Sequence, residues 1–333
     1  MNLNTNADTI LSEAAKWLLR LNPTLLQNPP PITESSGNDI CYQDPIVYCK
    51  DLPFGMRGVV GSWFLSPNRI MIETIVILSI AILILSIVKP FIPSARIVSR
   101  PSKLMRLATA TIFTLQLLYK LCGYPGKILV MVMPCNVLWI LNMIISFYGI
   151  NARTSSQQMI ESYSNIVYYI IQIQCSYTAL VFVALLNPDF SDTVLFGEVY
   201  FYYIHHFFLL YYIIHYLFIN GQVSTIDIRE KYGNHNGSLI VHQIISFLQW
   251  VLISCCYFAI FYFGIVTPLS IYSGLNLNYM LHPPPNQDDL VGEWYRIMSI
   301  VYCAISFTVM RFILVLIEIV WRKIVLLVKK KNS

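Results

Sequence analysis

Ile70-Met-Ile-Glu73-Thr-Ile-Val-Ile-Leu-Ser-Ile-Ala-Ile-Leu-Ile-Leu-Ser-Ile-Val88 decides the fold class of this chain. The stretch is close to the ~20 apolar residues that a helix needs to cross ~30 Å of hydrocarbon. Nothing before it has that character. Residues 1–66 are polar and rich in Asn and Pro, without the basic, apolar and small-residue succession of a signal peptide. Ile70–Val88 is therefore expected to act as both signal and anchor.

Further apolar stretches follow at about 105–122, 128–149, 164–186, 195–219, 239–266 and 297–320. Gly and Pro mark the gaps, as in Gly123-Tyr-Pro-Gly126 and Pro283-Pro-Pro285. The composition agrees with this pattern. Of 333 residues, 56% are hydrophobic and 12% are charged, against ~25% charged in soluble domains; mean hydropathy is +0.60. The expected fold is all-α: a polytopic transmembrane helix bundle of about seven spans. It divides into a polar luminal segment (1–66), the bundle (67–325) and a basic cytosolic tail (326–333). Arg106 and Lys120, near the ends of the second stretch, read as snorkelling anchors.

Basic residues set the orientation, because short basic loops stay cytosolic. Lys89, Arg96, Arg100 and Lys103 follow the first stretch, and Arg322, Lys323, Lys329, Lys330 and Lys331 end the chain. With seven spans both groups lie on one side. The opposite loops carry Asp189 and Asp192, then Asp288, Asp289 and Glu293. This places the amino terminus in the lumen and the carboxyl terminus in the cytosol. Cys41 and Cys49 then share an oxidising compartment that permits a disulfide. Cys122, Cys135, Cys175, Cys255, Cys256 and Cys303 lie in or beside the spans and are expected to be unpaired. Lys330-Lys331-Asn332-Ser333 matches a dilysine retrieval signal of the endoplasmic reticulum, an address that a coat protein would read. Its alternative is a basic cluster holding the tail to anionic lipid.

Polar groups at membrane depth are the candidate functional residues. In Ile128-Leu-Val-Met-Val-Met-Pro134-Cys135-Asn136-Val-Leu-Trp139, a proline frees a backbone carbonyl beside a thiol and an amide. Cys135 is either a small packing residue at a kink or a nucleophile. In the fifth stretch Glu198, Tyr202 and His206 recur every four residues, so they share a helix face; His205 points about 100° away. Glu198 and His206 are ~12 Å apart along that helix, with Tyr202 placed to bridge part of the gap. Cys135 lies ~10 Å and His206 ~16 Å into their spans from the same side, close enough to meet in one plane. A thiol paired with an imidazole becomes the thiolate of acyl transfer; the alternative is a packed Tyr and His face. A third cluster, Asn276-Leu-Asn278-Tyr-Met-Leu-His282 and Trp294-Tyr295-Arg296, precedes the last stretch. Arg296 there reads as an interfacial anchor or as a clamp on a lipid phosphate, and Arg311 as structural. Walker, dinucleotide, HExxH and GxSxG motifs are absent, so no cofactor, metal or nucleic-acid partner is expected.

These residues carry a family resemblance. Met133-Pro134-Cys135-Asn136-Val137 is similar to the Asn-Pro-Cys-His-Val stretch of the transmembrane protein 164 family. Glu198–His206 resembles its Glu-x-x-x-Tyr-Tyr-Ile-Gln-His. Asn276-Leu-Asn278-Tyr-Met-Leu and Trp294-Tyr295-Arg296-Ile297 resemble its Asn-Leu-Asn-Asn-Met-Leu and Trp-Tyr-Arg-Ile. The four motifs keep their order over roughly 128–300. The chain departs at Asn136, His205 and His282, where the family has His, Gln and Cys. The resemblance implies a multi-span acyltransferase moving polyunsaturated acyl chains onto lyso ether phospholipids, with Cys135 as nucleophile and His206 as base. Glu198, Tyr202, Asn278, Tyr295 and Arg296 are the expected substrate-binding residues, and phospholipid and lysophospholipid in the bilayer the expected partners. A seven-span receptor or transporter, or a lipid hydrolase using the same thiol, is the alternative.

Overall fold

The structure is a computed structural model. It describes residues 64–65, 67–89, 101–122, 127–147, 157–188, 190, 193, 195–219, 223–225, 236–273, 277–281, 283 and 292–332, with side chains 67, 157–164, 219, 236–240, 242, 272–273 and 329–332 excepted. The readings on Cys41 and Cys49, Arg96, Arg100, Asp189, Asp192, Asn276, His282, Asp288 and Asp289, and on the Lys330 and Lys331 side chains, lie outside the described residues. The described residues are all-helical. In chain order the helices are α1 (Pro67–Val88), α2 (Lys103–Leu121), α3 (Pro134–Phe147), α4 (Gln157–Leu186), α5 (Glu198–Ile214), α6 (Asn236–Phe261), α7 (Thr267–Ser273) and α8 (Tyr295–Asn332). A π-turn over His215–Ile219 extends α5, and another over Tyr262–Val266 joins α6 to α7.

Four segments are long and apolar enough to cross a membrane: Asn68–Val88, Asn165–Leu186, Gln243–Ile271 and Gly292–Val328. Apolar side chains cover their outer faces; Ile80, Leu83, Leu248, Ile305 and Phe312 are all exposed. An apolar exterior of this extent suits hydrocarbon rather than water. The shorter α2 is turned the same way. It buries Thr109, Gln116 and Lys120 while Leu104, Leu107 and Leu121 point outward, the reverse of a helix on a soluble domain.

The apolar stretch 128–149 is not one helix. A 3-10 turn over Lys127–Val132 leads to Met133, and α3 starts afresh at Pro134. Proline suits the first helical position, because its φ is preset and its missing N–H has no acceptor there. The Val137 amide donates to the Met133 carbonyl at 3.0 Å, the first bond of the new helix. Cys135 therefore sits in the opening turn of a helix, not at a mid-helix kink.

The helices alternate in direction. The starts of α3, α5 and α8 meet the ends of α2, α4 and α6 around one cavity, and Arg296 of α8 ties the start of α1 to that end. Away from it, α4, α5, α6 and α8 share a core that includes Ile171, Tyr212, Trp250 and Leu314. There Arg311 of α8, fully buried, donates to the Gln172 carbonyl at 2.9 Å and to the Gln172 side chain. Buried Glu318 accepts from Ser224 Oγ, the Thr225 amide and Arg322. These bonds agree with the structural reading of Arg311.

Candidate functional site

The cavity has a volume of about 450 Å³, within the ~300–1,000 Å³ of small-molecule sites. Cys135, Glu198, Tyr202, His206, Asn278, Tyr295 and Arg296 all line it. Four separate stretches of sequence thus come together on one space. His205, Asn136, Gln116, Lys120, Tyr262 and Cys303 line it too.

Cys135 is half-buried and free, and packs beside Leu138, Trp139, Val181 and Leu209. In the first turn of α3 its own N–H and that of Asn136 have no intrahelical acceptor. The partial positive charge of the helix start lies beside the sulfur. Asn136, buried next to it, locks this corner. Its Nδ2 donates to the Val130 carbonyl at 2.8 Å and its Oδ1 accepts from Gln116 Nε2 at 2.9 Å. An amide serves here because the corner needs one donor and one acceptor at once.

Gly197, at φ +78, turns the chain into α5. A Cβ there would adopt a strained conformation and meet the Tyr119 hydroxyl at 3.2 Å. Beyond it, His206 Nδ1 lies 2.7 Å from the Tyr202 carbonyl oxygen. A carbonyl only accepts, so Nδ1 carries the proton and Nε2 keeps its lone pair. The Tyr202 ring lies against the His206 ring, with centroids 4.1 Å apart. No hydrogen bond joins the Cys135 sulfur to either imidazole among the described residues. His205, 2% exposed, stacks on Trp139 at 5.4 Å, and its Nε2 has no hydrogen-bond partner among the described residues.

Three readings of individual side chains change. Tyr202 does not bridge Glu198 to His206: its hydroxyl donates to the Ala184 carbonyl at 2.7 Å, fastening α5 to the end of α4. Lys120 is not a snorkelling anchor. It is 7% exposed, with Nζ 3.4 Å from Glu198 Oε1. Fully buried Lys127 reaches the same carboxylate at 2.8 Å, and the Leu195 amide donates to it at 3.2 Å. Glu198 is thus the hub of a buried ionic knot. Arg296 is neither an interfacial anchor nor an open clamp. Its terminal nitrogens donate to the Ile70 carbonyl, Glu73, Thr74 and Thr267, and among the described residues its Nε has no partner. The arginine fixes a cavity wall. Tyr295 is similar, its hydroxyl donating to the Met280 carbonyl at 3.1 Å.

Asn278 and Tyr279 have φ of 48° and 61°. Asparagine tolerates this region; tyrosine does so at a cost of order 1–3 kcal/mol. This turn puts Asn278 on the cavity wall, which Tyr262 also lines.

The lysine partners of Glu198 gave only a weak signal in sequence. Lys127 is an isolated cation ahead of an apolar run, and its carboxylate lies on another helix. Cys303 and Tyr262 are single polar groups inside apolar stretches and gave none.

No protein-family model, curated protein or solved structure matches the chain.

Proposed function

We propose that this chain is a membrane phospholipid acyltransferase of the transmembrane protein 164 type, moving a polyunsaturated acyl chain onto a lyso ether phospholipid through a thioester on Cys135. The observation that supports this reading best is that Cys135, at a helix start, and His206, with its Nε2 lone pair, line one cavity. A nucleophile, a base and amides for an oxyanion are the parts acyl transfer requires.

The steps follow from those parts. His206 Nε2 takes the thiol proton as the Cys135 sulfur attacks the donor's acyl carbon. The oxyanion is held by the N–H groups of Cys135 and Asn136, which a helix start leaves without an intrahelical acceptor. Collapse breaks the donor's ester bond, and the departing lysophospholipid oxygen takes the proton from His206. The acceptor hydroxyl then gives its proton to His206 and attacks the thioester. The new ester forms, and the sulfur leaves and regains the proton. No cofactor enters the balance. His205, beside His206 at 4.7 Å between ring centroids, is a wall residue in this scheme.

The positive-inside pattern puts the cavity end toward the lumen, the amino terminus with it and the basic tail in the cytosol. The chain then makes seven passes, and Lys330 and Lys331 hold it in the endoplasmic reticulum by coat-protein recognition. Acyl-CoA is cytosolic, so a phospholipid donor fits better.

Membranes carrying wild-type or Cys135→Ala protein, given a diacyl phospholipid and a lyso ether phospholipid, test the chemistry. Transfer is expected to fall by about 10³-fold or more in the variant. Full transfer in Cys135→Ala overturns the nucleophile. Fatty-acid release with no product on the lyso acceptor indicates the hydrolase.

A further inference from the structure

We infer that the cavity opens sideways into the bilayer between α4 and α8, and that the acyl chain of a membrane phospholipid enters there to reach Cys135. The inference rests on the acyltransfer reading and adds the route and the physical state of the substrate.

The mouth is marked by residues that both line the cavity and face outward. Among the described residues these are Val183 (53% exposed), Asn187 and Tyr302 (57% exposed); the rest of the wall is buried or half-buried. Val183 belongs to the membrane-crossing segment Asn165–Leu186 and Tyr302 to Gly292–Val328. Two of the three mouth residues therefore belong to segments long and apolar enough to cross a membrane. Around it the surface stays apolar, with Phe182 and Leu186 exposed on α4, and Met298, Val301 and Ile305 on α8.

The seam between the two helices shows why it opens there. The helices run antiparallel. At the far end Arg311 is bonded to Gln172. Nearer the cavity the Tyr177 and Phe307 rings meet at 5.0 Å. Beyond that the facing residues, Leu180 with Cys303 and Ala184 with Ser299, line the cavity. A seam closed by an ion-bearing contact and a ring pair gives way to open space.

Polarity within the cavity matches a lipid on end. α4, the end of α6 and α8 bring Leu180, Phe258, Tyr262 and Cys303 to the wall, and α2 and α5 bring Gln116, Lys120 and Glu198. A chain lying in from the mouth buries its methylenes on the apolar wall, worth ~0.8 kcal/mol per CH₂, and brings its ester toward the polar side. A water-soluble acyl donor would have to reach this mouth through hydrocarbon.

The test uses the full chain in phosphatidylcholine vesicles containing a diacyl phospholipid with a diazirine at the end of one acyl chain. Irradiation is expected to label the cavity-side residues Leu180, Ala184 and Cys303. Val183→Trp is expected to cut both that label and the transfer rate about tenfold. Leu83→Trp, on the outer face of α1 and not on the cavity, leaves both unchanged, and Val183→Ala controls for folding. Label confined to outward residues, or equal interior label in Val183→Trp, overturns the entrance. So does a protein–protein cross-link through Val183 and Tyr302, which assigns this face to a second copy. If interior labelling holds while Cys135→Ala keeps full transfer, the entrance stands and the chemistry fails. If transfer needs Cys135 but ignores Val183→Trp, the chemistry stands and the entrance fails.

Discussion

The two ends of this bundle bury polar groups in different ways. At one end Arg311, Gln172, Thr225 and Glu318 lie against one another, and none of them lines the cavity. At the other end, Glu198, Lys120 and Lys127 are tied together as firmly, but beside them His206 presents a ring nitrogen and Cys135 a free thiol to open volume. Burial of charge alone does not separate structure from function. What separates them is whether the polar atoms are spent on each other or face space that a ligand can fill.

That contrast breaks most sharply on His206. His206→Ala is expected to slow transfer by about 10²–10⁴-fold, far beyond what its small loss of packing on Tyr202 takes from the thermal midpoint in detergent. His205→Gln, which restores the residue of the resembling family, is expected to keep most activity. If the two variants behave in reverse, the base is misassigned. Arg311→Ala should do the opposite of His206→Ala. It leaves the Gln172 side chain and the Thr225 carbonyl buried with fewer partners, a loss of about 1–3 kcal/mol, read as a lowered unfolding midpoint; protein that survives should transfer normally. A selective loss of turnover there would erase the distinction between the ends. Asn136→Ala lies between the two. It removes a buried amide bonded on both sides, about 1–3 kcal/mol, and frees the Cys135 turn. A modest fall in stability and in kcat is expected, with KM little changed.

Much of this was legible in sequence for a physical reason. The four-residue recurrence of Glu198, Tyr202 and His206 and the Pro134–Cys135 pair are local patterns, and local patterns survive into the fold. The seven candidate residues therefore line one cavity. What each side chain does there was less legible, because its partners lie far away along the chain. Arg296 finds Ile70, Glu73 and Thr74, and Tyr202 finds Ala184. The length of the third apolar stretch misled for another reason. Hydropathy is continuous across Pro134, but the helix hydrogen bonds are not.

One helix joins the two ends of the bundle. α8 runs without a break from Tyr295 to Asn332, 38 residues, or ~57 Å. Near its middle Arg311 pins it to α4. Tyr302 at the cavity mouth stands ~14 Å to one side of that pin, and the lysine-rich end begins ~27 Å to the other. A rod held so has unequal arms: Arg296 fastens the shorter one to α1, while the tail stands about twice as far from Arg311 as the mouth does.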